Sequence, residues 1–339
     1  MTQTNEVHLV LGASGGTGRA IVRELVSRER RVRAVNRSGR AAVPAGVEVL
    51  KGDAANPDRM REVCRGATVV YNCVNPPFTT WTETFPPIMQ AVIDGAAAAG
   101  AKLVFADDTW MYGKVDGPMT EDLPYRPASN KGVLRAWLAD MLLAAHDRGK
   151  VRATIGRAPE LYGPAVESVL GQNLFGPALA GKKARWVGAL DVPLTPLFIE
   201  DFARGLVTLG EREEALGEVW HIPTAGPTTG REFTRMIFEE AGTPPKIGAY
   251  GHAVVKALGL VWPVAREGAE MVYQFERPFV VDGSKYRRTF GGGEATSHRA
   301  GIRKTLEWYR SNPRAGAAGR ASPWWRGVLR YGQASRSKA

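Results

Sequence analysis

The residues Gly12-Ala13-Ser14-Gly15-Gly16-Thr17-Gly18 follow directly on an apolar, β-branched run, Val7 to Leu11, and open an amphipathic stretch, Gly16 to Ser27. That succession of strand, glycine loop and helix narrows the fold more than any other feature of the chain. Glycine at 12, 15 and 18 lets the backbone turn sharply and approach a ligand with no Cβ in the way. The unpaired N–H groups at the helix start then form an anion site, to which Ser14, Gly16 and Thr17 belong. Such a loop suits the diphosphate of a dinucleotide.

The first third continues in the same alternation. Candidate strands are Val7 to Leu11, Arg31 to Val35, Val47 to Leu50, Thr68 to Cys73, Lys102 to Ala106 and Val151 to Ile155. Helices are expected at Gly16 to Ser27, Pro57 to Cys64, Pro87 to Ala99 and Lys131 to His146. The fold class that follows is α/β: a Rossmann-like doubly wound parallel sheet with a smaller C-terminal substrate lobe. Residues 1–156 are read as the dinucleotide-binding domain, with segments at about 195–225 returning to it, and 157–312 as mainly the substrate lobe. In that lobe, helical pieces are expected at Asp201 to Leu209, Thr229 to Ala241 and Ala300 to Arg310.

The end of the second strand selects the cofactor, because an acidic residue there bonds the ribose 2′-hydroxyl and repels a 2′-phosphate. This strand instead runs into Asn36-Arg37-Ser38-Gly39-Arg40. Arg37 and Arg40 offer guanidinium forks suited to a phosphate, so NADP(H) is the expected cofactor. Asp53 and Ala54, after the third strand, are expected at the adenine edge, and Asn75 beside the cleft after the fourth. Asp53 has a second reading, as the cap of the helix near Pro57.

Of the net charge of +11, six positive charges fall in the stretch from Pro313 to Ala339, which has no acidic residue and carries Trp324-Trp325. It is read as a solvated, disordered tail, and nucleic acid is not an expected partner. Only Cys64 and Cys73 occur, and the five histidines lack ligand spacing, so neither a disulfide framework nor a metal is expected. No run approaches the roughly 20 apolar residues of a membrane span. The polar start carries no secretory signal pattern, which makes a cytoplasmic location the expectation. A small-molecule substrate and a homodimer complete the partner expectations.

Together, the glycine loop, the second-strand arginines and Gly52-Asp53 resemble the extended and atypical short-chain dehydrogenase/reductases, the NAD-dependent epimerase/dehydratase kind. The resemblance continues through Val104 to Gly113, Thr120-Glu121-Asp122, Arg157 to Pro164, Phe198 to Ala203, Gly217 to Ile222, Val281 to Lys285 and Ile302 to Tyr309. It implies a mechanism in which a Tyr is acid/base, a Lys four residues on lowers its pKa, and a Ser or Thr positions the substrate oxygen. Set against that pattern, Asp108 stands at the Ser/Thr position, Lys131 at the Tyr position and Arg135 at the Lys position. None of the nine tyrosines has a lysine four residues on.

Asp108 with Lys131 is therefore read as an acid/base pair, with Lys131 also touching cofactor and Arg135 anchoring ribose or phosphate; the competing reading is a salt bridge filling a dead site. Tyr112, Tyr125, Tyr162 and Glu160 are further acid candidates. The expected function is an NADP(H)-binding oxidoreductase or epimerase/dehydratase-like enzyme acting on a small carbonyl or alcohol. The alternative is a non-catalytic NADP(H)-binding sensor.

Overall fold

The structure, a computed structural model, describes residues 6–251, 254–255, 267–291 and 294–313. The stretch from 314 on, with Trp324-Trp325, lies outside them, and so do the expectations placed on it.

Apolar, β-branched runs alternate with amphipathic helices, and the chain winds β1 (Val7–Leu11), α1 (Gly16–Ser27), β2 (Arg31–Asn36), β3 (Glu48–Lys51), α2 (Pro57–Cys64), β4 (Val69–Asn72), α3 (Trp81–Ala99), β5 (Lys102–Asp108), α4 (Asn130–Asp147) and β6 (Arg152–Ala158). Then come β7 (Leu161–Tyr162), α5 (Phe175–Leu179), β8 (Ala184–Val187), β9 (Pro193–Leu194), β10 (Leu197–Phe198), α6 (Ile199–Glu211), β11 (Val219–His221), β12 (Thr228–Thr229), α7 (Gly230–Ala241) and β13 (Ile247–Tyr250). Two more helices, Ser284–Phe290 and His298–Ser311, follow.

Seven strands form one sheet in the order β11-β6-β5-β4-β1-β2-β3. Every neighbouring pair in it is parallel. Successive side chains on a strand point to opposite faces, so each strand feeds two cores. Leu9, Leu11, Val70, Leu103 and Phe105 meet Trp81, Phe85 and Leu138 on one side. Val10, Val69, Tyr71 and Val104 meet Ile21, Leu25, Phe202 and Leu206 on the other. The strand order reverses between β1 and β4, and the carboxyl ends there open the crevice where such sheets bind ligands.

Three expectations need correction, the first being the sixth strand, which was expected to end at Ile155 and runs three residues further, to Ala158. The third helix begins at Trp81, not Pro87, and carries Pro86 and Pro87 within it. Burial of Trp81, Phe85, Ile88 and Met89 along one face outweighs the two backbone bonds the prolines remove. The fifth strand runs two residues further, to Asp108, paired all the way with β6. Asp107 and Asp108 are thus strand residues at the carboxyl edge.

Candidate active site

The phosphate loop separates its glycines by cause. Gly12 has φ +77°, and a Cβ on it would lie 2.6 Å from the Cys73 carbonyl oxygen. One on Gly18 would lie 2.4 Å from the Gly12 carbonyl oxygen. The protein's own packing therefore demands both. A Cβ on Gly15 meets nothing closer than 3.5 Å, so packing leaves that face of the loop free. Gly15 is also the N-cap of α1, with no side-chain cap and no acidic residue in the first turn. The helix start keeps its N–H groups for an anion. On this geometry the residues present fit a dinucleotide's diphosphate.

Arg37 and Arg40 are exposed and make no ion pair with a described residue. Asn36, by contrast, is buried and spent on its own loop: its carboxamide donates to the Arg40 carbonyl at 2.9 Å and accepts from the Gly39 N–H at 2.8 Å. It shapes the turn that presents the arginines. Asp53 accepts from the Ala55 N–H, whereas the α2 cap is Asn56, which accepts from Arg59. The capping alternative for Asp53 thus falls to its neighbour. Ala54 is buried, and Asp53 and Asn75 are exposed at the strand ends.

Asp108, Lys131 and Arg135 gather at the carboxyl end of β5 and the start of α4, but not in the expected pairing. Lys131 Nζ lies 2.6 Å from Glu267 Oε2 and donates to the Phe78 carbonyl at 2.6 Å. Its side chain is 7% exposed and sits over the rings of Phe78 and Trp81 at 4.6 and 5.6 Å. Asp108 pairs with Arg135, Nε to Oδ2 at 2.9 Å, and accepts from the Trp110 N–H. Arg135 also reaches Asp107 at 3.3 Å and stacks on Trp81 and Phe85. Held so, Arg135 fixes the two aspartates. An Asp108–Lys131 ion pair is absent among the described residues.

Burial pushes the Asp108 carboxyl up to about 6 against the pull of Arg135. Its side chain keeps 17% exposure, so it can exchange protons. Half-buried Glu160, just past β6, is pushed up to about 7, by burial and then by Asp108, against hydrogen bonds from Val169 and Ser168.

Behind this edge stands a network centred on fully buried Arg157 and Tyr112, whose bonds sequence reasoning missed. Arg157 Nε donates to Asp107 at 3.1 Å, and its two terminal nitrogens donate to the hydroxyls of Tyr112 at 2.6 Å and Tyr125 at 2.5 Å. Tyr112 in turn lies 2.8 Å from His221 Nε2, and His221 Nδ1 lies 3.2 Å from the Asp282 carbonyl. Arg157 occupies one side of the Tyr112 oxygen as donor, so the Tyr112 proton points at Nε2, and Nδ1–H donates to Asp282. Burial and then Arg157 push His221 down to about 3, consistent with a neutral ring. Tyr112 and Tyr125 are spent as structural hydroxyls. Glu267 and Glu270 were missed too; the spacing of two glutamates one helical turn apart was the only signal.

The sequence profile of the NAD dependent epimerase/dehydratase family matches residues 8–222. The chain belongs to that family. Over 321 residues this member is 25% identical to a protein of Stigmatella aurantiaca named 4-hydroxy-2-methyl-3-oxo-4-farnesyl-3,4-dihydroquinoline-1-oxide ketoreductase, covering 86% of the chain and 93% of the relative. It is 27% identical over 216 residues to a dTDP-glucose 4,6-dehydratase of Neisseria gonorrhoeae, which spans 60% of the chain and 57% of that relative. Among solved structures, the dTDP-glucose 4,6-dehydratase of Bacillus anthracis in complex with NAD superimposes with a TM-score of 0.76, covering 95% of this chain and 99% of that one at 18% identity. Among the described residues, no helix of this family member is long and apolar enough to cross a membrane.

Proposed function

We propose that the chain is an NADP(H)-dependent reductase of an apolar or aromatic carbonyl compound, built without the family's Ser-Tyr-Lys set. The observation that carries the reading is the phosphate loop at Gly15, where the missing side chain answers to no neighbour in the protein and leaves room for a diphosphate. Arg37 and Arg40, exposed and unpaired after β2, would hold the 2′-phosphate. Asp53 and Ala54 would flank the adenine, and Asn75 the cleft. Residues 1–156 with 195–225 would carry the cofactor, and 157–312 the substrate.

When bound, NADPH supplies a hydride from its reduced nicotinamide ring. Lys131, its ammonium held by Glu267 and the Phe78 carbonyl, would have one N–H left for a cofactor hydroxyl at the start of α4. Arg135 holds Asp107 and Asp108 in place. Asp108, protonated up to about pH 6, stores a proton beside the reacting oxygen. Half-buried Phe78 and Trp110, edge-on at 6.3 Å with Trp81 packed behind them in the core, offer an apolar surface that suits an apolar substrate better than a sugar. The ketoreductase relative of nearly matching length supports reduction over dehydration.

The ion pair between Lys131 and Glu267 favours a second reading, a protein that binds NADP(H) without turnover. Calorimetric titration with NADPH and NADH, followed by a panel of ketones, separates them. We expect NADPH to bind at least about tenfold tighter than NADH, with Arg37→Asp erasing the preference. Equal affinities would remove the NADP(H) assignment, and tight NADPH binding with no ketone reduced would favour the non-catalytic protein.

A further inference from the structure

We propose that Tyr273 is the acid that delivers a proton to the substrate's carbonyl oxygen, an inference that rests on the reductase reading above. Tyr273 lies in a short turn of 3-10 helix, Val272–Phe275. Two contacts pin that turn to the carboxyl edge of the sheet. Trp110 Nε1 donates to Gln274 Oε1 at 3.3 Å, and Glu270 accepts from the backbone N–H groups of Asn130 and Lys131. The Tyr273 ring is buried and meets Phe279 edge-on, yet its hydroxyl has no hydrogen-bond partner. Buried hydroxyls are almost always satisfied, so an unpartnered one at a ligand-binding edge points to a partner that comes and goes.

The four tyrosines that the β4 to β7 segments carry do not compete. Tyr71, Tyr112 and Tyr125 spend their hydroxyls on His8 or Arg157. Tyr162 also has an unpartnered hydroxyl, but it packs between Phe198 and Phe233, and the carboxylate acting on it is Asp201 of α6. For Tyr273, the carboxylates that act on it are Asp108 and Glu270, the groups at the site itself. Burial, and then those two, raise its pKa above the ordinary phenol value, so it stays protonated at neutral pH.

The chemistry balances without a further reactant. The carbonyl carbon accepts hydride from NADPH, which leaves as NADP+, and the π pair of the C=O bond moves onto oxygen. As a new O–H bond forms there, the Tyr273 O–H bond breaks. The phenolate then takes a proton from the Asp108 carboxyl or from water, and Asp108 recovers its own from solvent through its exposed side. Entry of the carbonyl requires the 272–275 turn to draw back, after which the hydroxyl closes on an acceptor instead of on nothing.

The test uses the full chain with NADPH and two ketone probes, α-tetralone and acenaphthenequinone. Tyr273→Phe removes only an oxygen that bonds to nothing, so folding survives. We expect kcat to fall about a hundredfold or more, with NADPH affinity within about twofold of wild type and Tm unchanged. Tyr162→Phe deletes the other unpartnered tyrosine hydroxyl among the described residues and should keep its kcat, which separates chemistry from packing. A Tyr273→Phe enzyme with kcat within about threefold of wild type overturns the assignment and leaves the reductase reading standing. A wild type that binds NADPH and reduces neither ketone overturns both.

Discussion

Gly12, Gly15 and Gly18 share one motif, but a methyl group added to each meets different surroundings. Gly12→Ala forces a left-handed backbone and a clash with the Cys73 carbonyl, so it should cost roughly 2 kcal/mol or more of stability. Gly15→Ala makes only an ordinary 3.5 Å contact at φ −76° and should leave Tm within about 2 °C while weakening NADPH binding at least about tenfold. Thermal denaturation and calorimetric titration of the two variants check this; a Gly15→Ala protein with wild-type affinity would show that nothing docks there. Arg157 poses the opposite case. Each of its three nitrogens is bonded, and Arg157→Met would leave Asp107 with Arg135 alone and take the donor from two tyrosine hydroxyls, at a cost of roughly 3 kcal/mol in denaturant titration. The motif around Arg157 was legible in the sequence. Its bonds to Tyr112 and Tyr125 were not, because they depend on how β6 and two loops pack.

At the scale of elements, the parallel sheet could be read from alternating apolar runs, and most ends fell within a residue or two. The exception is instructive. The third helix was expected from Pro87, and the burial of Trp81 and Phe85 ahead of it carries α3 back to residue 81. The start of α4 shows the same limit at the site. Ser129 caps it, as the sequence allows, by accepting from Gly132. The carboxylate that takes the next two N–H groups comes from Glu270, far along the chain. No local pattern announces such a partner. A carboxylate on a helix N-terminus is stabilising, and Glu270→Gln should lower stability by about 1 kcal/mol, read as a shift in the urea midpoint without a change in slope.

Asp108 and Glu160 tie the stability of the whole molecule to pH. Both keep a proton in the folded state, up to about 6 and about 7, that an ordinary carboxyl loses near 4. Between those values the native state binds more protons than the unfolded one, so their contribution is fully present at low pH and is lost as pH rises through 6 to 7. Glu160→Gln removes one such group. Its Tm should match or slightly exceed wild type at pH 5 and exceed it by roughly 2–4 °C at pH 8. A pH-independent difference would place the Glu160 carboxyl in an ordinary environment.

The partnership of α4 with Glu267 and Glu270 also fixes an order of events in time. On the ribosome, the strands from β1 to β6 emerge while those two glutamates are still unsynthesised, and the sheet can form without them. Lys131 and the first N–H groups of α4 must wait. The amides of Asn130 and Lys131 are therefore natural clocks: in refolding followed by pulsed hydrogen exchange, strand amides of β4 and β5 should become protected first and these two later. A newly made chain would thus own a finished scaffold before it owned a finished site, and a chain ending between β13 and residue 267 would have the first without the second.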